Sequence, residues 1–281
     1  MQFMIYSNIY SMRAARHAAR SMKRAVKVLG RIIAVTNQKG GVGKTTTSVN
    51  LSACVAAEGK RTLLVDIDPQ GNATSGLGMA GRGSASIYDV IINGADAEKA
   101  ALDTGFGGLM LIPAGIELAG AEIELVDAEG REELLKRALM PLRDNYDYIF
   151  IDCPPSLGLL TLNALTAADG VLVPIQCEYY ALEGVGQLMN TVKLVRRKLN
   201  PDLAVEGIAL TMYDARTNLG AQVVQEVRAH FPEEAFETLI PRNVRLSEAP
   251  SYGIPISEYD PRCAGAAAYR DLARELLART R

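Results

Sequence analysis

Apolar residues in this chain gather in short, nearly continuous runs at 31–36, 62–67, 108–113, 148–152, 170–175, 206–212 and 235–240. A strand covered on one face alternates apolar and polar side chains, so unbroken runs rich in Val, Ile and Leu predict strands buried on both faces. Between them lie stretches with apolar residues three and four apart, at 45–58, 132–142, 158–168, 184–199, 219–231 and 264–278, which predict helices. Strands alternating with helices predict an α/β fold, a doubly wound and mostly parallel twisted sheet with helices on both faces. No repeat, long linker or low-complexity tract interrupts residues 31–281, which read as one domain.

Residues 1–30 break the pattern. Met12, Ala15, Ala19, Met22, Val26 and Leu29 fall at helical spacing beside Arg13, Arg16, Arg20, Lys23 and Lys27. A basic amphipathic helix touching DNA or anionic lipid fits this spacing, and the acid-free composition also fits an organelle transit peptide. The favoured expectation is a basic extension that is disordered or a misassigned start, with translation beginning at Met22.

Composition narrows the function classes. The chain has 281 residues, 48% of them hydrophobic, enough for a large buried core, and no run of eighteen apolar residues. Its net charge of −2 hides an asymmetry. Residues 1–31 hold seven Lys or Arg and no acid, leaving 23 basic against 32 acidic side chains, a net −9, for the rest. Bulk charge on that body repels nucleic acid, so DNA binding requires a local basic patch. Cys54, Cys153, Cys177 and Cys263 show no C-x-x-C spacing and read as reduced core thiols.

The strongest chemical signal is Lys39-Gly40-Gly41-Val42-Gly43-Lys44-Thr45-Thr46 between a predicted strand and a predicted helix. In a glycine-rich loop of this kind, backbone N–H groups and the helix N-terminus converge on phosphate oxygens. Lys44 neutralises the β/γ-phosphates, and the Thr45 hydroxyl is the expected protein ligand of Mg²⁺. Gln38 stands where the usual loop has glycine, and Lys39 is one lysine more than the loop requires. Asp66 and Asp68 leave a strand end on the same side, next to this loop if the two strands are neighbours. Asp152 closes the run 148–152, where the second acidic group of a P-loop ATPase belongs, holding Mg²⁺ directly or through water.

Lys39-Gly-Gly-Val-Gly-Lys-Thr resembles the deviant Walker A loop of the ParA/MinD class of ATPases. The segments 65–74, 149–156, 176–184 and 241–250 are similar to those of the ParA/Soj family of chromosome-partitioning ATPases, and the resemblance covers about residues 30 to 281. It implies ATP and Mg²⁺ as cofactors, with Lys39, Lys44 and Asp68 catalytic. Asp68 positions the attacking water, while Asp66 serves as outer support or simply caps the next turn. The resemblance further implies that Lys39 reaches across a two-fold axis to a partner's ATP, with Gly40 and Gly41 at the contact. Pro241 and Asn243 would flank the adenine, and Arg216 and Arg245 would bind DNA.

The function so implied is an ATP-dependent partitioning ATPase, cytoplasmic and nucleoid-associated. Its ATP-bound sandwich dimer binds DNA nonspecifically and is released when a ParB/Spo0J-like centromere-binding protein stimulates an intrinsically slow hydrolysis. The alternative is a MinD-like membrane-surface ATPase. The mixed charge of residues 272–281 disfavours a lipid-binding terminal helix.

Overall fold

The computed structural model describes residues 29–178 and 181–280, so the expectations for the basic extension fall almost entirely outside the described residues. Within them the apolar runs form strands β1 (Arg31–Val35), β2 (Thr62–Asp66), β3 (Leu102–Asp103), β4 (Leu109–Ile112), β5 (Tyr148–Asp152), β6 (Gly170–Gln176), β7 (Ala204–Tyr213) and β8 (Ala235–Pro241). They make one sheet in the order β3-β4-β2-β5-β1-β6-β7-β8. Every pairing is parallel except that of β3 with β4.

Period-two alternation sorts the central strand between two cores. Ile32 and Ala34 of β1 point into one apolar cluster and Ile33 and Val35 into the other. The first cluster is closed by the helices Leu159–Ala167, Ala181–Lys198 and Asn218–His230, through Leu165, Leu188, Val192 and Val227. The second is closed by Lys44–Ala57 and the terminal helix Ala264–Arg279, through Leu51, Val55, Leu272 and Leu276. Unbroken apolar runs were the signature of this double cover.

One condition is not met and one expectation needs correction. Strand β2 is not the neighbour of β1, because β5 lies between them, in register with both. The stretch 132–142 is an α-helix only over Leu134–Leu139 and continues as a 3₁₀ turn, Met140–Asp144. Pro141 has no N–H to give to an i−4 carbonyl, so the α ladder cannot run through it.

The crossover from β1 leads toward β2 on one side of the sheet centre, while β5 leads to β6 on the other side of β1. A crevice therefore opens at the carboxyl ends of the central strands, where open α/β sheets bind ligands.

Candidate functional site

The phosphate loop occupies that crevice. Gly43 takes a left-handed conformation (φ 85°) and begins the helix Lys44–Ala57 without a side-chain cap. The first N–H groups of the helix are thus left for an anionic ligand. Hydrogen bonds from both sides fix the loop. Thr211 Oγ1 donates to the Val42 carbonyl at 2.8 Å, Asn37 Nδ2 to the Pro174 carbonyl at 2.7 Å, and the Lys39 N–H to Asn37 Oδ1 at 3.1 Å.

The two lysines of the loop behave differently. Lys44 is buried, and its ammonium donates to the Lys39 carbonyl at 3.0 Å. Desolvation pulls its pKa down, and the charge of Asp152 is the foremost opposing influence. The Lys39 amine turns outward to Glu178, 3.7 Å from Oε2, with the side chain 38% exposed. Glu178 also approaches Arg242, at 3.8 Å.

Three carboxylates sit beside the loop. Asp66 and Asp152 are in register at the ends of β2 and β5, both fully buried. Asp152 Oδ1 accepts from Ser48 Oγ at 2.7 Å, and the Thr45 hydroxyl faces the same carboxylate. Desolvation, then the charge of Asp66, pushes Asp152 well above the ordinary carboxylate range. Its Oδ2 is buried with no hydrogen-bond partner. An orphaned carboxylate oxygen beside a threonine hydroxyl fits a divalent cation or a water that such a cation holds. Among the described residues no group of three His, Cys, Asp or Glu side chains could hold a metal alone. The cation would accordingly need phosphate oxygens as well.

Asp66 accepts from the Thr74 N–H (2.8 Å), the Thr74 hydroxyl (2.7 Å) and the Asp68 N–H (3.1 Å). Both of its oxygens are thereby engaged in ordering residues 67–74, as the capping alternative for this residue expected. Asp68 is buried, accepts the Gln70 N–H at 3.0 Å, and its charge acts on both Lys44 and Asp152. The intervening β5 has not separated it from the loop.

Beyond the loop, a cavity of about 400 Å³ is lined by Gly43, Thr46, Met212, Pro241, Arg242 and Asn243 among others. Its size suits a planar base. Pro241 ends β8 at its wall, and Asn243 Oδ1 caps the helix Val244–Glu248 by accepting the Arg245 N–H at 2.8 Å. Met212, also on the wall, is the one non-glycine residue with positive φ (52°) among the described residues.

Arg216 and Arg245 follow the neighbouring strands β7 and β8 and are exposed, yet each is held by acids. Arg216 binds Asp214 through Nε at 2.9 Å and Nη2 at 2.7 Å. Arg245 meets Glu248 at 2.8 Å and Asp260 at 3.6 Å. Asn37, Ser48, Thr211 and Glu178 were not expected at the site. Ser48 had a usable signal, a hydroxyl one helical turn beyond Lys44 and on the same face, and Glu178 lies within the family-like segment 176–184.

Comparison with known proteins agrees with this geometry. The AAA domain family matches residues 30–205. The chain is 62% identical over 251 residues to the sporulation initiation inhibitor protein Soj of Bacillus subtilis, covering 89% of this chain and 99% of that protein. It is 55% identical over 258 residues to the chromosome partitioning protein ParA of Myxococcus xanthus, covering 92% and 91%. A solved structure described as cobyrinic acid a,c-diamide synthase from Mycobacterium smegmatis, with bound ADP and magnesium, superposes with a TM-score of 0.78 at 42% identity, covering 89% and 94%.

Proposed function

The chain belongs to the ParA/Soj family of chromosome-partitioning ATPases, and from that premise we propose that it works as an ATP-driven DNA-partitioning switch within residues 31–281. ATP binding joins two copies face to face, the dimer holds DNA through its phosphates without reading sequence, and hydrolysis dissolves it. A ParB-like protein bound at a centromere site triggers that hydrolysis, and the working location is the nucleoid surface.

The observation that carries this reading is the division of labour between the two lysines. Lys44 alone occupies the cradle, whereas Lys39 leaves it and rests on a surface carboxylate. A cation outside its own cradle is available to a second copy's triphosphate, where it would stabilise charge on the transferring phosphoryl group. The bare loop supports close approach, since a Cβ at Gly40 would meet nothing within 4 Å of this chain.

Backbone N–H groups from Gly40 to Thr46 and the Lys44 ammonium would bind the β- and γ-phosphates. Thr45 and Asp152 would hold Mg²⁺, which supplies charge neutralisation between those phosphates when bound. Asp68 would orient the attacking water, and Pro241 and Asn243 would flank the base. Arg216 and Arg245 would contact DNA phosphate after exchanging their internal acids for it.

The terminal helix Ala264–Arg279 weighs against the membrane alternative, because Tyr269, Leu272, Ala273 and Leu276 on it are fully buried. An apolar face already committed to the core is not available to lipid.

Light scattering after size exclusion tests the dimer. With ATP and Mg²⁺ the wild type should run as a dimer, and Lys39→Ala and Lys44→Ala should each remain monomeric. A dimer that forms equally in ADP, or in Lys39→Ala with ATP, would exclude the lysine sandwich.

A further inference from the structure

The nucleotide site and the strand-end arginines leave one concentration of charge unexplained. Lys193, Arg196, Arg197 and Lys198 stand in the last two turns of the helix Ala181–Lys198, and residues 184–201 contain no Asp or Glu. All four cations are exposed. The helix commits Val185, Leu188, Val192 and Val195 to the core, which turns the cations and the half-exposed Leu194 outward. Among the described residues none of the four makes an ion pair, and Arg196 Nε donates to the Leu203 carbonyl. Arg216, Arg242 and Arg245, by contrast, each rest on an acid.

The carbonyl end of a helix favours cations within its last turn, which accounts for Arg196, Arg197 and Lys198. It does not account for Lys193 a turn earlier, or for the lack of any neutralising acid on a body with net charge −9 outside residues 1–31. Position sharpens the question. Strands β6 and β7 are parallel, so the helix joining them runs back to the opposite edge of the sheet. The Ala204 N–H that opens β7 donates to the Asp169 carbonyl just ahead of β6, at 2.9 Å, so the cluster lies at the amino edge. Arg216 follows the other end of β7, whose ten residues span roughly 30 Å. The two sets of cations therefore stand at opposite edges of the sheet.

The make-up of the cluster identifies its partner. Leu194, 50% exposed, is the one large apolar side chain among the cations. That is too little for a face that enters lipid, and it lacks the aromatic or packed apolar anchor of a protein interface. A phosphate backbone requires neither, only gathered Lys and Arg side chains free of internal acids. We infer that the end of this helix contacts the phosphates of a second DNA duplex, so that protein coating one duplex holds another. The inference rests on the DNA-binding switch proposed above and adds bridging to it. Each such contact is weak alone, but copies side by side on one duplex present many helix ends to the next.

A biotinylated duplex on beads, loaded with the full chain in ATP and Mg²⁺ and offered a fluorescent second duplex, tests this, with binding to a single duplex read separately by anisotropy. The wild type should capture the second duplex, less so as salt rises. Lys193→Gln with Arg197→Gln and Lys198→Gln, all at exposed positions, should cut capture about tenfold or more and lower its log–log salt slope by about 2–3. Single-duplex affinity, ATP turnover and the ATP-dependent dimer should stay near wild type. Undiminished capture by the variant overturns the inference. Equal loss of single-duplex affinity assigns the cluster to the same duplex as Arg216 and Arg245 and overturns it too. Binding of phosphatidylglycerol vesicles that the variant loses, with capture unchanged, assigns the cluster to lipid instead. Wild type that binds one duplex in ATP without capturing a second removes the bridging and leaves the switch standing, whereas wild type that binds no duplex removes both.

Discussion

At the scale of single residues, two buried side chains, Asp152 and Lys44, set the electrostatics of the site. Asp152 is forced toward its neutral form by desolvation and by the charge of Asp66, while Lys44 is desolvated beside it. A carboxyl that keeps its proton in the fold but releases it near pH 4 when unfolded makes the unfolded chain the weaker proton binder above about pH 4. Stability from this group is therefore lost as pH rises from that value through the raised folded pKa. Nucleotide-free wild type should show a higher urea midpoint at pH 5.5 than at pH 8, and Asp152→Asn should narrow the gap. Mg²⁺ with ATP should restore the midpoint at pH 8 in the wild type alone, and the variant should lose about 100-fold or more in ATP turnover. Lys44, Thr45 and Asp152 were legible in the sequence because a phosphate loop and a strand-end acid have fixed spacing. Thr211 was not, since a hydroxyl that braces the loop from a distant strand obeys no local pattern.

At the scale of elements, strand and helix positions were largely readable because double burial leaves long apolar runs. Strand order was not. Nothing in the composition of β2 announces that β5 will insert between it and β1, and β3, two residues long, is too short to carry a period. Packing makes two sharp tests. A Cβ at Gly207 in β7 would lie 2.3 Å from the buried Phe236 ring, on which the Arg279 guanidinium rests at 4.2 Å. Gly207→Ala should cost about 1–3 kcal/mol in urea unfolding, with ATP affinity nearly unchanged. Gly40 faces open space within one copy, so Gly40→Val should leave stability and ATP binding near wild type and block the ATP-dependent dimer, as measured by light scattering.

At the scale of the whole molecule, a body with net charge −9 outside its first 31 residues must gather its cations to hold DNA. The loops after β7 and β8 do so, bringing Arg216, Arg242 and Arg245 to neighbouring strand ends, with each guanidinium near an acid. Asp214 illustrates the restraint: the Arg216 hydrogen bonds, and less so the charge of Arg242, hold its carboxyl far below the usual range. Asp214→Asn keeps an acceptor for the Arg216 N–H while removing one charge. It should tighten DNA binding severalfold and steepen its salt dependence, seen by anisotropy across a salt series. Family-like motifs made Arg216 and Arg245 visible in the sequence, but Arg242 and the acidic partners of all three became apparent only once the chain was folded.

The central claim, that ATP makes this protein bind DNA, is tested most directly by co-sedimentation with nonspecific plasmid DNA in ATP and in ADP, with Arg245→Ala alongside. Pelleting that requires ATP, weakens with salt and fails in the variant is the predicted result. DNA left unbound in both nucleotides, or bound equally in both, would contradict it.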